Sequence, residues 1–189
     1  MRIREEIKMK ENDIIIPVGI PLGIYENKGR IQNEGKWLEI GKGEYVCWFF
    51  SFLSNDLGDW CELCVKNGVV DEKKEILDFA VELENAGLIT RFEAERPGRG
   101  IELLKTCIVT RQGIYAEEDR EHLTFTQGNS RVRIPNVSEL KLFWMKADGK
   151  KSVAEIISDI RTEGIKDNIF WEKVLMILAK NRLIMLEEM

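Results

Sequence analysis

The sequence predicts an α+β protein built from two tandem copies of one domain, residues 1–95 and 96–189, each with a small antiparallel sheet and three helices. Three observations carry this prediction. Apolar positions recur along the chain at a nearly constant spacing. Within each half, short runs rich in β-branched residues precede segments with helical apolar periodicity. Each half then ends in an apolar run after a helix stop, which predicts a closing strand.

The repeat is visible when the two halves are aligned. At a spacing of 94 residues, Ile40, Val46, Phe49 and Phe50 fall on Ile134, Leu140, Phe143 and Trp144, and at a spacing of 95, Leu88-Ile89 falls on Leu183-Ile184. The tripeptide GIY occurs at Gly23 and again at Gly113. No YIG strand follows either copy, as a GIY-YIG nuclease would require, so we interpret GIY as the same strand start in both copies.

The first copy begins with predicted strands at 13–20, 23–32 and 36–40, where Ile-rich runs are interrupted by Gly, Pro and Asn. Helices are predicted near 43–54, 59–67 and 71–86. Asp71 is the expected N-cap of the third helix, and Gly87 is its expected C-cap. A strand at 88–92 closes the copy.

The second copy repeats this order. Strands are predicted at 105–110, 113–118, 122–127 and 131–134, helices near 137–147, 152–162 and 167–181, and a closing strand at 183–186. Ser152 and Glu155 have the spacing of a capping box, in which each side chain accepts a hydrogen bond from the other residue's backbone N–H.

Strands that lead into three short helices and return to a strand describe a winged-helix unit. In the second copy, "LKLFWMKADGKKSVAEIISDI" followed by "VLMILAKNRLIML" resembles PqqD-like proteins, winged-helix domains also called peptide recognition elements. The first copy departs from the pattern, because "SNDLGDWCELC" stands where the DG-K-S-V-x-E-I segment belongs. The matching residues are capping and core residues, so they inform on fold more than on function.

The resemblance implies a non-enzymatic protein. In that family a leader peptide adds as a strand beside the third strand and packs against the third helix, which is β-augmentation. By position, the edge strands here are 36–40 and 131–134, and the helices are 76–83 and 170–178. The candidate peptide-binding residues on these elements are Lys36, Trp37, Leu38, Leu77, Val81, Arg131, Val132, Arg133, Trp171 and Met176.

The helices carry more apolar residues than one core-facing stripe needs. Leu77 and Val81 lie outside the stripe of the third helix, Met176 falls among charged residues, and the helix at 43–54 is apolar nearly all round. Packing of the two copies against each other, or dimerisation of the chain, accounts for this surplus. A peptide groove is the other explanation.

A DNA-binding regulator is the alternative function, because winged helices often insert their third helix in the major groove and lay a hairpin wing on the backbone. The segment 91–105 predicts such a wing, with Arg91, Arg96, Arg99 and Lys105 near a Pro-Gly tip. Against it, the outer face of the helix at 71–86 is acidic. The net charge is −7 over residues 1–95 and +2 over residues 96–189, which disfavours nonspecific binding to a polyanion.

Other chemistries find little support in the sequence. Cys61 and Cys64 form a CxxC motif, but the two other cysteines and the single histidine, His122, fall in other elements, so we expect no metal, no cofactor and no enzyme activity. The charged start of the chain lacks the apolar stretch of a secretory signal, and no apolar run is long enough to span a membrane. We therefore expect a cytoplasmic protein with reduced thiols and a peptide or protein partner.

Overall fold

A computed structural model describes residues 9–160 and 166–188 of the chain. Over those residues it contains seven helices and eleven strands, and every strand pairing is antiparallel within small sheets. The predicted α+β class is therefore confirmed.

In the first copy, a three-stranded meander leads into three helices, and the first strand pairs with the last. The elements are β1 (Ile14–Pro17), β2 (Ile20–Tyr25), β3 (Lys28–Asn33), β4 (Lys36–Gly41), α1 (Lys42–Phe50), α2 (Leu57–Lys66), α3 (Lys73–Asn85) and β5 (Ile89–Phe92). The meander is ordered β2-β3-β4, and β1 pairs with β5. Two tight turns join the meander strands, and Asn27, Glu34 and Gly35 in these turns have positive φ angles.

The second copy has the same order of elements, preceded by one additional helix, α4 (Arg99–Leu104). The elements that follow are β6 (Ile108–Arg111), β7 (Ile114–Glu118), β8 (His122–Gln127), β9 (Ser130–Pro135), α5 (Ser138–Lys146), β10 (Asp148–Ser152), α6 (Val153–Ile160), α7 (Asn168–Lys180) and β11 (Ile184–Glu187). Strand β10 was not predicted and pairs irregularly with β6. The last residues of the helix predicted at 152–162 lie outside the described residues.

The structure repeats most regularly in the two meanders. A bulge interrupts the β2–β3 pairing between Pro21 and Gly23, and the same irregularity occurs 94 residues later between Tyr115 and Glu117. This register corrects our interpretation of GIY. Gly113 directly precedes β7 and corresponds to Gly19, which directly precedes β2, whereas Gly23 lies inside β2 at the bulge. The two GIY tripeptides are therefore not structurally equivalent.

The predicted alignment of the first helix of each copy is also wrong by one residue. The buried positions correspond at a spacing of 95: they are Tyr45, Trp48 and Phe52 in the first copy, and Leu140, Phe143 and Ala147 in the second. Val46, Phe49 and Phe50 are only half-buried. A hydrogen bond of 2.9 Å from the Trp48 indole Nε1 to the Leu88 carbonyl helps to fix the rotation of α1 about its axis.

The helix caps agree with the sequence in part. The capping box is confirmed, since Ser152 N donates to the Glu155 carboxylate over 2.8 Å and Glu155 N donates to the Ser152 hydroxyl over 3.3 Å. Helix α3 begins one residue later than predicted, with Glu72 rather than Asp71 at the N-cap. The Glu75 carboxylate accepts the Glu72 N–H at 3.2 Å, which places the start of the helix there.

The two copies have separate cores but are in contact. Ile16, Val18 and Phe92 of the first copy pack into the core of the second, and Met185 of the second packs against the core of the first. Backbone groups also pair across the junction, where Gly19 N donates to the Leu186 carbonyl over 2.6 Å. The two copies therefore pack against each other.

Candidate peptide-binding surface

The two strands predicted to form sheet edges do so. Among the described residues, β4 pairs only with β3, and β9 pairs only with β8. The register is the same in both sheets, because Trp37 lies opposite Gln32 and, 94 residues later, Arg131 lies opposite Thr126. Strands β4 and β9, like β2 and β7 on the opposite side of each sheet, thus have a second hydrogen-bonding edge that is not paired with a described strand.

The two sheets differ in how much apolar surface they expose. Of the twelve large hydrophobic residues that are exposed in the described part of the chain, the first sheet contributes five, and the second sheet contributes only Ile114. The five are Leu22, Ile24, Tyr25, Trp37 and Leu38. Trp37 is 69% exposed, a large fraction for the bulkiest apolar side chain. A protein normally protects an edge strand from such exposure, so the first sheet offers the better contact surface of the two.

An arginine lies between two aromatic rings on the outer face of the first sheet. The Arg30 guanidinium carbon is 4.9 Å from the Tyr25 ring centroid and 5.8 Å from that of Trp37, both within cation–π range. Arg30 Nε also donates to Glu39, directly opposite on β4, over 2.9 Å. We call Tyr25, Arg30, Trp37 and Glu39 the Arg30 cluster.

The charges around the Arg30 cluster are arranged around one carboxylate. Lys28 Nζ lies 3.4 Å from the second oxygen of Glu39. The hydrogen bond from Arg30, and then that from Lys28, lower the pKa of Glu39. The carboxylate is therefore ionised at neutral pH and holds both cations on the outer face.

On the equivalent face of the second sheet, the charged side chains form ion pairs with each other. Arg131 is 3.4 Å from Glu117, and Arg133 is 2.9 Å from Asp119. The pKa of Asp119 is lowered chiefly by two backbone N–H groups, with a smaller effect of the Arg133 charge. Val132, the third candidate on β9, is half-buried against the second core. The outer face of this sheet offers no exposed aromatic side chain among the described residues.

The candidate peptide-binding residues on the helices differ in how exposed they are. Val81 is 47% exposed on α3, and Leu77 is half-buried against the first core. Met176 is half-buried against the second core. The candidacy of Trp171 is wrong, because this residue is only 4% exposed and packs between Phe143 and Phe170 in the second core.

The helix that supports the first sheet is α1 rather than α3. Strand β4 has β3 and α1 as its main neighbours, whereas those of α3 are α2 and β5. A Cβ atom on Gly29 of β3 would lie 2.1 Å from Tyr45 Cβ, so the absence of a side chain there lets α1 approach the sheet. The pairing of the edge strand with the third helix, implied by the family resemblance, is thus not the main packing of β4.

The predicted wing over 91–105 is wrong in shape. Residues 99–104 form α4 instead of a hairpin strand, and the Glu172 carboxylate accepts the Gly100 N–H at the start of this helix over 3.0 Å. The sequence "RPGRG" signals a turn but does not reveal this carboxylate, which comes from α7, 72 residues further along the chain.

The four basic side chains proposed for DNA contact all have carboxylate partners. Arg91 is buried, 3.3 Å from Asp13 and 3.4 Å from Glu84, and it cannot reach a ligand. Arg96 and Arg99 both pair with Glu93, at 3.5 and 2.9 Å, and Lys105 pairs with Glu102.

The cysteines are packing residues. All four are buried and free, with Cys64 Sγ 3.7 Å from Cys47 Sγ. Burial raises the pKa of Cys107 to about 12. The described residues contain no group of three or more side chains able to hold a metal ion. His122 lies at the surface of β8, where its Nδ1 is 3.2 Å from Arg133.

Sequence reasoning found Trp37 but missed Tyr25, Arg30 and Glu39. The signal was available in the spacing of the turns. Two short turns, at Glu26-Asn27 and at Glu34-Gly35, set the register of three strands, and that register brings the four side chains to one face. The face of Tyr25 follows from the first turn alone, which pairs Tyr25 with Lys28, because the bulge at Leu22 changes the alternation only for the residues that precede it.

No protein-family model matches this chain, and a search of the curated proteins finds no match to it. Within the described residues, no helix combines the length and apolar character needed to cross a membrane.

Proposed function

We propose that the chain is a cytoplasmic, non-enzymatic peptide-binding module of tandem winged-helix type, similar to PqqD-like proteins, and that an extended peptide adds as a strand to β4. The observation that carries the proposal is Trp37, 69% exposed on an outer strand whose second edge is not paired with a described strand. An added strand would gain backbone hydrogen bonds from the edge and side-chain contacts from Trp37 and Leu38.

The residues of β4 support peptide binding, because they include exposed apolar side chains that a merely protected sheet edge would lack. Charged residues at an edge discourage aggregation, and Lys36 and Glu39 serve that purpose here. Trp37 and Leu38 stand between them and work in the opposite direction. Tryptophan, tyrosine and arginine are the residue types enriched where binding energy concentrates, and the Arg30 cluster contains one of each.

The first copy is the better candidate for the ligand site. The position of Trp37 is occupied in the second copy by Arg131, which pairs with Glu117, so that edge exposes charge rather than apolar surface. The second copy then contributes through its contacts with the first.

The test begins with selection of a phage-displayed library of random twelve-residue peptides on the immobilised full chain. The best peptide is labelled and titrated by fluorescence anisotropy. We expect Trp37→Ala to weaken binding at least tenfold, since loss of a central Trp anchor commonly costs 2 kcal/mol or more.

The matched control is Arg131→Ala at the equivalent position of β9, which should change affinity less than about twofold. Both side chains are largely exposed, so circular dichroism should show both variants folded. Failure to select any peptide, or equal losses in the two variants, would refute binding at β4.

DNA binding through residues 91–105 is the weaker alternative, because its four cations are already paired. Its test is the same anisotropy measurement with a labelled random duplex at low and near-physiological salt. Tight binding that falls steeply with salt, and that is lost on reversing Arg96 and Arg99 to Glu, would favour DNA over a peptide.

A further inference from the structure

We infer that Arg30 determines which peptides bind: its guanidinium, held between Tyr25 and Trp37, pairs with a carboxylate of the ligand. The ligand is then an extended peptide with an acidic side chain close to an apolar one. This inference rests on the proposed function and adds the chemistry of the partner to it.

The Arg30 guanidinium is held in position by side chains of both neighbouring strands. Tyr25 lies on β2 and Trp37 on β4, so the two rings flank Arg30 on the central strand from either side. The 2.9 Å bond from Nε to Glu39 fixes the group along the strand direction. A free arginine side chain loses considerable rotamer entropy when it binds, and here much of that loss has already occurred on folding.

The Arg30 guanidinium has N–H donors that Glu39 does not engage. A guanidinium has five N–H donors, and Glu39 engages the one on Nε. Neither Nη nitrogen of Arg30 has a hydrogen bond to a described residue, and the side chain remains 33% exposed. The two Nη groups present a planar pair of donors, the geometry that arginine uses for two-bond pairing with a carboxylate.

Cations outnumber carboxylates around Arg30 on the outer face of the first sheet. Lys28 and Arg30 face one carboxylate, Glu39, whose two oxygens are each engaged by one of these cations. Lys28 and the Arg30 cluster together therefore carry one net positive charge, which a ligand carboxylate would neutralise.

The geometry of β4 predicts how far apart the apolar and the acidic residue of the peptide lie. Side chains on one face of a strand lie two residues apart, as do Trp37 and Glu39 on β4. An added strand would place one side chain beside Trp37 and another beside Glu39, within reach of Arg30. We therefore expect an apolar or aromatic residue and an Asp or Glu two positions apart.

The second copy lacks this arrangement. Thr124 replaces Arg30 at the equivalent register position, and Arg133 is paired with Asp119. Exposed aromatic rings beside an arginine also suit stacked bases of single-stranded RNA. The charge of −7 over residues 1–95 disfavours a polyanion such as RNA, so we choose the acidic peptide.

The test compares peptides selected by the wild-type chain with those selected by Arg30→Glu. Wild type should enrich Asp or Glu two positions from an aromatic or aliphatic residue, and the charge reversal should replace this preference with Lys or Arg. Because Glu beside Glu39 can disturb the sheet, Arg30→Gln is the second variant, and circular dichroism checks the fold of both.

A double-mutant cycle then isolates the contact. Replacing the acidic residue of the best peptide by its amide should weaken binding to wild type about tenfold, as expected for a paired charge, and should have little effect on binding to Arg30→Gln.

Three outcomes would overturn the inference. Peptides that require Trp37 but show neither acidic enrichment nor sensitivity to Arg30→Gln would refute it and leave peptide binding standing. Absence of any selected peptide would refute both proposals. Displacement of the peptide by a single-stranded RNA oligonucleotide at comparable concentration would assign the Arg30 cluster to nucleic acid instead.

Discussion

Lys180, at the end of α7, provides a quantitative test of how the two copies are joined. Its Nζ donates to the Ser51 carbonyl of the first copy over 3.1 Å. Burial at the junction lowers the pKa of Lys180 from 10.5 to about 8, partly opposed by the charges of Asp56 and Asp59. The folded protein therefore holds this proton less tightly than the unfolded chain does.

The size of the effect follows from linkage. Each unit of pKa difference corresponds to about 1.36 kcal/mol, and because the side chain is only half-buried, solvent screening reduces the total to about 2 kcal/mol. Since the folded-state pKa is the lower one, this destabilisation is complete below pH 8. It fades as the pH rises from about 8 to 10.5, the interval between the two pKa values.

We predict that Lys180→Met raises the free energy of unfolding by about 1 kcal/mol at pH 7. The relief of charge burial, about 2 kcal/mol, is offset by loss of one hydrogen bond, about 1 kcal/mol. The Ser51 carbonyl keeps a partner, the Ser54 hydroxyl at 3.2 Å. At pH 10, just below the unfolded-state pKa of 10.5, the advantage of the variant should have shrunk by about 1.5 kcal/mol and changed sign.

The assay is urea denaturation of wild type and Lys180→Met at pH 7 and pH 10, followed by tryptophan fluorescence. Lys173→Met, an exposed position on the same helix, is the control and should show no such dependence on pH. A stability difference for Lys180→Met that stays constant between the two pH values would refute the reasoning, because it would mean that the lysine is not desolvated.

Three further predictions concern stability and use the same denaturation assay. Arg182 occupies, at φ +55°, the left-handed position after α7 that Gly87 occupies after α3, so Arg182→Gly should stabilise the protein by about 0.5–1 kcal/mol. Gly87→Ala should destabilise it by at least 1 kcal/mol, since its Cβ would also lie 2.7 Å from the Glu188 carboxylate; a gain for Gly87→Ala would contradict the assignment. Arg91→Met should cost about 3 kcal/mol by leaving Asp13 buried without its cation, and a loss below 1 kcal/mol would show that Asp13 is solvated in the folded state.

The sequence predicted the elements well where local signals and tertiary structure agree. The helix after Ser152 began where the capping box placed it, because the two hydrogen bonds that define the box form between near neighbours. The three meander strands of the second copy were predicted within a few residues, since short turns between alternating segments determine their pairing. In the first copy the single strand predicted at 23–32 is wrong, because the turn at Glu26-Asn27 divides it between β2 and β3.

The predictions failed where a distant residue decides the local structure. Glu172 on α7 supports the start of α4, and no signal within 91–105 announces it. Arg91 resembled a surface cation in the sequence, but Asp13 and Glu84 take it into the interior. Trp171 was assigned to a surface because helical periodicity defines an apolar arc without saying which part of it the core covers.

The contrast between the two copies has a physical origin. Core positions are constrained by close packing, so equivalent cores persist while the amino acids change. The outer faces of the two meanders carry no such constraint, and there the two sheets differ, with the Arg30 cluster on one and ion pairs on the other.

The junction gives the second copy a role at the edge of the first. The Glu187 carboxylate, at the end of β11, accepts hydrogen bonds from the Gln32 side chain over 3.2 Å and from Gly35 N over 3.0 Å. Glu188 N donates to the Asn33 side chain over 2.9 Å. These three hydrogen bonds surround the turn between β3 and β4. The end of β11 therefore fixes the start of β4, the strand that exposes Trp37. A tight turn held from outside its own sheet restricts the motion of the edge strand, which lowers the entropy that a peptide would have to remove on binding.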